Sequence, residues 1–326
     1  MPAEQTGSGT ARERIAAALG STGLGPKMPA FIRRWKRSLL HEPPRVADQA
    51  EAHWDTQPHE TAIQWLEIPA VIQYVNSRVT TVPWLYPLVA FKILVAEYPL
   101  RRGISIGCGT GNLERAVHRF RICEEITGID ISRVSLRKAR EVARKENLRG
   151  IRYERGDFNE LRLPENAYDA AFFHGSLHHV GDPDRLLGEI HKSLRPGAWL
   201  YVDEYIGPSR DEWTPSHLAE AQREYDLLDD ALKLWPLNPP IAPGDPSEMV
   251  RSSRIRGAIE KRFEISAFRP YWGNLLFPLL CVLDGRKLLD PANEPLVRRF
   301  IDRETALVEN GTFTDPLFAV IVARKR

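Results

Sequence analysis

Up to residue 98 the apolar positions recur at helical spacing and no strand pattern interrupts them. Helices are expected over Ala11–Leu19, Pro29–Leu40, Thr61–Ser77 and Trp84–Glu97. The second sets Phe31, Trp35 and Leu39 beside Arg33, Arg34, Lys36 and Arg37, the pattern of a solvated basic face. From Arg102 the period changes. Short runs at Ile104–Ile106, Glu125–Asp130, Ile151–Glu154, Tyr168–Phe173 and Trp199–Tyr205 read as strands, with helices between them at Leu113–Arg121, Ser132–Glu146 and Pro183–Leu194. Ser132 is placed to cap the helix it opens. Such alternation predicts a parallel sheet covered on both faces. Regularity lapses after Gly207: a helical piece at Thr214–Leu234, a Pro-rich turn, and a helix over Pro246–Arg262. A strand at Phe263–Phe268, helices at Leu275–Asp284 and Pro295–Asn310, and a last strand at Leu317–Ala323 complete the pattern.

Composition narrows the function classes. In 326 residues, 45 Lys and Arg nearly balance 43 Asp and Glu, so no global field calls for nucleic acid or an anionic membrane. Three scattered Cys make neither a disulfide framework nor a zinc site. No run of about 18 apolar residues is present, so no membrane insertion is expected. The N-terminus lacks the basic and apolar regions of a secretory signal, and a cytoplasmic protein is expected.

Chemistry concentrates at the ends of the strands. In ISIGCGTGN, residues 104–112, Gly107, Gly109 and Gly111 lie between a strand and a helix, where a tight turn lets a cofactor touch the backbone. Asp130 closes the next strand, the place of an acid that accepts from ribose hydroxyls. His174-Gly175-Ser176-Leu177-His178-His179 follows the fourth strand, and Asp203-Glu204-Tyr205 ends the fifth.

These motifs resemble the class I S-adenosylmethionine-dependent methyltransferases over most of residues 101–208. The resemblance implies that Gly107, Cys108, Gly109 and Gly111 form the cofactor loop, with Asp130 on the ribose and Ile131 on the adenine face. It implies that Asp157, followed by Phe158, accepts from the adenine amino group, and that His174 lies near the methionine end. Where the family carries an acid two residues before the first Gly, this chain has Ser105, which supplies no charge to the cofactor's ammonium; the substitute acid is sought in the N-terminal helices or the segment after the fifth strand, with Glu114 of the following helix the weaker candidate. The phrase EYIGPSRDEW, with GNLLFPLL and FAVIVARK near the end, resembles a bacterial subgroup encoded near polysaccharide or secondary-metabolite genes.

The implied fold is a doubly wound α/β, mostly parallel seven-stranded Rossmann-like sheet. A helical cap would occupy residues 1–98 and the core 99–326, with 207–262 as a helical lid inserted after the fifth strand. The implied activity moves a methyl group from S-adenosylmethionine, leaving S-adenosylhomocysteine, to a hydroxyl of a sugar, glycan or small metabolite. A natural-product amine is an alternative acceptor, and a non-catalytic cofactor-binding or regulatory partner an alternative of another class. His178, His179 and Glu204 are the catalytic candidates; Tyr205, Trp213 and Trp272 are the substrate-binding candidates. No metal is expected, because neighbouring histidine side chains diverge and His178, His179, Asp182 and Asp203 make an awkward ligand set. The sequence assigns no oligomeric state.

Overall fold

The computed structural model describes residues 46–56, 64–95 and 99–326. The chain separates into residues 1–49 and a compact unit, 50–326. The helices expected at Ala11–Leu19 and Pro29–Leu40 lie outside the described residues. Helices α1 (Val46–Thr56), α2 (Pro69–Thr80) and α3 (Pro87–Leu94) precede the sheet, α2 and α3 each opening on proline. Then follow β1 (Leu100–Ile106), α4 (Asn112–Arg119), β2 (Cys123–Asp130), α5 (Arg133–Lys145), β3 (Ile151–Arg155), β4 (Tyr168–His174), α6 (Pro183–Ser193) and β5 (Leu194–Tyr205). Ser132 caps α5 as expected, its hydroxyl accepting from the Ser135 amide at 3.1 Å.

Beyond β5 come α7 (Pro215–Asp226), α8 (Ile255–Glu260), β6 (Phe263–Trp272), α9 (Leu276–Leu280), α10 (Gly285–Leu288), α11 (Glu294–Glu309) and β7 (Phe318–Lys325). The seven strands form one sheet in the order β3-β2-β1-β4-β5-β7-β6, with β7 antiparallel to both of its neighbours. Because order reverses between β1 and β4, a crevice opens at their carboxyl ends, where doubly wound sheets bind ligands.

Alternation along the buried strands sends side chains to two cores. Phe172 and Tyr201 face α2, α3, α9 and α11, while Ile104, Ile106, Phe173 and Val202 face α6 and α8. The Phe91 ring of α3 meets Phe172 and Tyr201 edge-on, each at 5.5 Å. Helices α2 and α3 therefore cover a sheet face rather than its carboxyl edge, and each such ring contributes roughly 1.5–3 kcal/mol by burial. No helix among the described residues is long and apolar enough to cross a membrane.

The insertion departs from expectation. Of the helix foreseen over Pro246–Arg262, only a 3-10 turn at Ser252–Arg254 and α8 form. The Asp245 carboxylate accepts from the backbone and hydroxyl of Ser247, offering the chain an alternative to helical pairing, and Met249 adopts a left-handed φ of 51°.

Candidate active site

The three motif glycines do different work. A Cβ at Gly107 would stand 2.4 Å from the Ser176 Cβ, and one at Gly111 would stand 2.3 Å from the Tyr153 hydroxyl. These two permit close packing. A Cβ at Gly109 would meet nothing within 4 Å, so this glycine faces open space. Asp130 holds the loop: its carboxylate accepts from the Gly109 amide at 2.7 Å and from the Ser132 amide at 2.8 Å. Ile131 is half-buried beside it. Asp157 accepts from the Asn159 amide at 2.8 Å, and Phe158 packs against the core shared with α6. Burial pushes the Cys108 thiol far up, which makes it inert packing rather than a nucleophile.

Ser105 is buried on β1. Glu114, on the first turn of α4, is fully buried nearby, and neither of its oxygens has a hydrogen-bond partner among the described residues. Burial lifts its carboxyl to about 7, against the opposing pull of the adjacent Ser105 hydroxyl, of its own backbone amide and of the Arg115 charge, none of them at close hydrogen-bonding geometry with a carboxylate oxygen. Sequence reasoning ranked Glu114 as a minor substitute for the missing acid; its burial without partners was not readable from residue type.

At the end of β4 the backbone reverses through Gly175, φ 58°, and the Ser176 hydroxyl donates to the Ile106 carbonyl at 2.7 Å. Leu177–His179 then form a 3-10 turn. Glu204 stabilises it from β5, one oxygen accepting from the amides of Ser176 and Leu177 at 2.8 and 2.6 Å. Its other oxygen accepts from His178 Nδ1 at 2.5 Å and from the Tyr205 amide at 2.9 Å. Burial alone would lower the His178 pKa; Glu204, then Glu248 and Asp245, outweigh it and raise the ring to about 9. His179 is driven the other way, by burial and then by the His178 charge. The two rings lie 4.0 Å apart and both approach Glu248 of the insertion. The 3-10 turn thus makes these neighbours converge where divergence was expected.

The catalytic candidates consequently separate. His178, His179 and Glu204 are occupied with one another and with the insertion, whereas the His174 side chain is 44% exposed at the sheet edge. Its Nε2 stands 3.7 Å from Asp203, which burial holds above the usual carboxylate range and which accepts from the hydroxyls of Tyr271 and Tyr201. This is an accessible imidazole backed by a buried, oriented carboxylate. Asp203 and Tyr271 were not singled out for this arrangement beforehand; the β5–β7–β6 pairing that creates it is tertiary.

Among the substrate candidates, Tyr205 is buried, its hydroxyl donating to the Pro208 carbonyl at 2.8 Å at the root of the insertion. Trp213 lines a cleft of about 780 Å³ together with Ile206, Pro208, His217, Asn274 and Phe313. Trp272 is not among that cleft's walls; it is half-buried at the end of β6 with a left-handed φ of 67°.

Residues 104–202 match a family model described as a methyltransferase domain. The sterol 24-C-methyltransferase of Kluyveromyces lactis is 29% identical over 149 residues, 45% of this chain and 39% of that protein. The corresponding enzyme of Saccharomyces cerevisiae is 30% identical over 134 residues, 40% of this chain and 34% of its own. The chain therefore spans little more than a third of the curated relatives it matches. In fold, geranyl diphosphate C-methyltransferase from Streptomyces coelicolor A3(2) aligns with a TM-score of 0.52 at 13% identity, over 87% of this chain and 99% of that one. Residues 104–202 are thus a methyltransferase domain, and the strand order and glycine loop match the Rossmann-like fold of S-adenosylmethionine-dependent methyltransferases.

Proposed function

We propose that the chain transfers the methyl group of S-adenosylmethionine to a small-molecule acceptor at the carboxyl edge of the sheet, with His174 taking the acceptor's proton. The observation that carries the cofactor assignment is Glu114: a fully buried carboxylate with no salt bridge among the described residues, set beside the open glycine loop. The cofactor's ammonium supplies the charge that Glu114 lacks, so the acid missing at Ser105 is replaced from the adjoining helix. Asp130, fixed by the Gly109 and Ser132 amides, stands at the end of β2 where the ribose would lie, and Gly109 leaves room for the ligand to touch the backbone.

When bound, the cofactor supplies an activated methyl on a sulfonium that leaves as a neutral thioether. The chain's task is to align the acceptor, exclude water and accept a proton. His174 is suited to the last by its exposure at the sheet edge, with the buried Asp203 carboxylate 3.7 Å behind its ring. The cleft beside Trp213 has the size of a small-molecule site.

A hydroxyl of a small metabolite is the first reading of the acceptor. A carbon acceptor is the second, favoured by the names of the sterol and geranyl diphosphate enzymes; neither name points to a sugar or glycan. Both readings require a proton to leave, and both use His174. The test incubates the chain with methyl-labelled S-adenosylmethionine and small-molecule extracts of its host, followed by mass spectrometry of labelled products. A product labelled on oxygen or carbon, and reduced about a hundredfold by His174→Ala, is expected. Absence of cofactor binding sinks the proposal, and a labelled amine formed equally well by His174→Ala removes the acceptor reading.

A further inference from the structure

We propose that His178, His179, Asp245 and Glu248 form a binding site for a first-row divalent cation that clamps the insertion to the turn after β4. Three observations converge on it. The first is spacing. His178 Nε2 is 3.7 Å from Glu248 Oε1, and His179 Nδ1 is 3.8 Å from Glu248 Oε2 and 3.3 Å from Asp245 Oδ2. Donor atoms of His178, His179 and Glu248 all lie within 4.8 Å of one another. Bonds of about 2.1 Å in a tetrahedral shell set ligand atoms about 3.4 Å apart, close to the spacing of His178, His179 and Glu248, with Asp245 reaching the group from the His179 side.

The second is an orphan. Asp245 is 2% exposed; Oδ1 accepts from the amide and hydroxyl of Ser247, which fixes the carboxylate, while Oδ2 is buried with no hydrogen bond. That free oxygen faces His179 Nδ1. The Ser247 hydroxyl is 3.3 Å from the same nitrogen, a weak contact that a metal bond would supplant.

The third is the outer shell. The His178 ring is oriented by Glu204 through Nδ1, which leaves Nε2 pointing to Glu248. A carboxylate holding the far nitrogen of a ligating histidine is the usual support of a metal site, fixing tautomer and direction. Electrostatics agree with the geometry. Glu204, Asp245 and Glu248 are all buried, and the nearby Arg210 guanidinium is directed to the carbonyls of Asp245 and Pro246 rather than to the carboxylates. His178 faces Glu204 and Glu248 and can offset one of these three charges; the remaining buried negative charge is costly unless a further cation offsets it.

Two imidazoles with two carboxylates favour zinc or a neighbouring first-row metal over magnesium or calcium. The ligands come from two segments distant in sequence, residues 177–179 and 245–248, so the ion would staple the lid to the sheet edge. Methyl transfer from a sulfonium requires no metal, and the site does not depend on the methyl-transfer reading.

The test uses the full chain, stripped with a chelator and titrated with Zn²⁺ alone. One ion per chain by elemental analysis and a raised unfolding temperature are expected, with Asp245→Asn and Glu248→Gln each weakening binding at least tenfold. Co²⁺ added to the unmodified protein reports geometry without any variant: intense visible absorption bands of a four-coordinate site are expected. Substoichiometric Zn²⁺ binding, equal binding by the Asp245→Asn/Glu248→Gln pair, or a Co²⁺ spectrum like that of the aquo ion overturns the proposal.

Discussion

Replacing Glu114 by Gln separates the stability of the apo fold from its affinity for cofactor, because the two are expected to move in opposite directions. Burial raises the carboxyl from 4.5 to about 7. The folded state therefore holds its proton more tightly than the unfolded state, and stability falls as pH rises from 4.5 through 7. Above that window the buried carboxylate costs about 3 kcal/mol, at about 1.4 kcal/mol per pH unit. Glu114→Gln keeps the shape and removes the charge. In urea titrations of the cofactor-free protein it is expected to gain about 3 kcal/mol at pH 8 and less than about 1 kcal/mol at pH 5. Calorimetry at pH 8 with S-adenosylhomocysteine, which carries the same ammonium, is expected to show at least about tenfold weaker binding, some 1.4 kcal/mol. Adding Ser105→Asp to the variant restores the acid at the family's position and is expected to recover part of the affinity. Loss of stability at pH 8, or unchanged affinity, would refute the argument that Glu114 awaits a cation.

Other perturbations test neighbouring parts of the site. His174→Ala is expected to lower kcat about a hundredfold or more with cofactor affinity retained, and Asp203→Asn to lower kcat less while shifting the pH profile, both read by steady-state kinetics across pH. Gly109→Ala puts a Cβ into open space on a positive-φ backbone; calorimetry is expected to show weakened cofactor binding, while chemical unfolding shows a loss of only about 1 kcal/mol. Gly111→Ala drives a Cβ into Tyr153 at 2.3 Å and is expected to cost about 1–3 kcal/mol or more by the same unfolding assay. Glu304→Ala strands the amides of Gly273, Leu275 and Leu276 and the Tyr74 hydroxyl in the core, and a loss of about 3 kcal/mol or more is expected by thermal or urea unfolding.

The fold of the sheet's first five strands was legible because its signals are local. A strand, three glycines and a helix are contiguous in sequence, Ser132 caps α5 through its own first turn, and the matched domain falls within this stretch. The lid and acceptor half was not, because its contacts are set by tertiary pairing. Residues 246–251 carry helix-compatible letters, yet Asp245 Oδ1 accepts from the amide and hydroxyl of Ser247 and the chain turns. Likewise the convergence of His178 and His179 depends on Glu204, which lies 26 residues away on β5 and gathers the two amides that bend the chain into a 3-10 turn. Spacing alone argues for divergence there, and only the sheet supplies the missing constraint.

Buried carboxylates give a further criterion for separating structure from site. Glu304 is fully buried, and its oxygens receive three amides and one hydroxyl; burial still raises its pKa, but every lone pair the fold can serve is served. Glu204 is treated the same way, with three amides and an imidazole. Glu114 and Asp245 are buried to the same degree but keep oxygens without donors. A chain that solves this problem twice with backbone amides does not lack the means to solve it again. The two unsatisfied carboxylates each stand where a cation is proposed, an ammonium at the glycine loop and a metal under the insertion, and each is part of the argument for its own cation. Stability and ligand binding should therefore be coupled at both places: each cation stabilises the fold according to its affinity, and each carboxylate-to-amide change should reduce that gain for its own ligand while leaving the other intact.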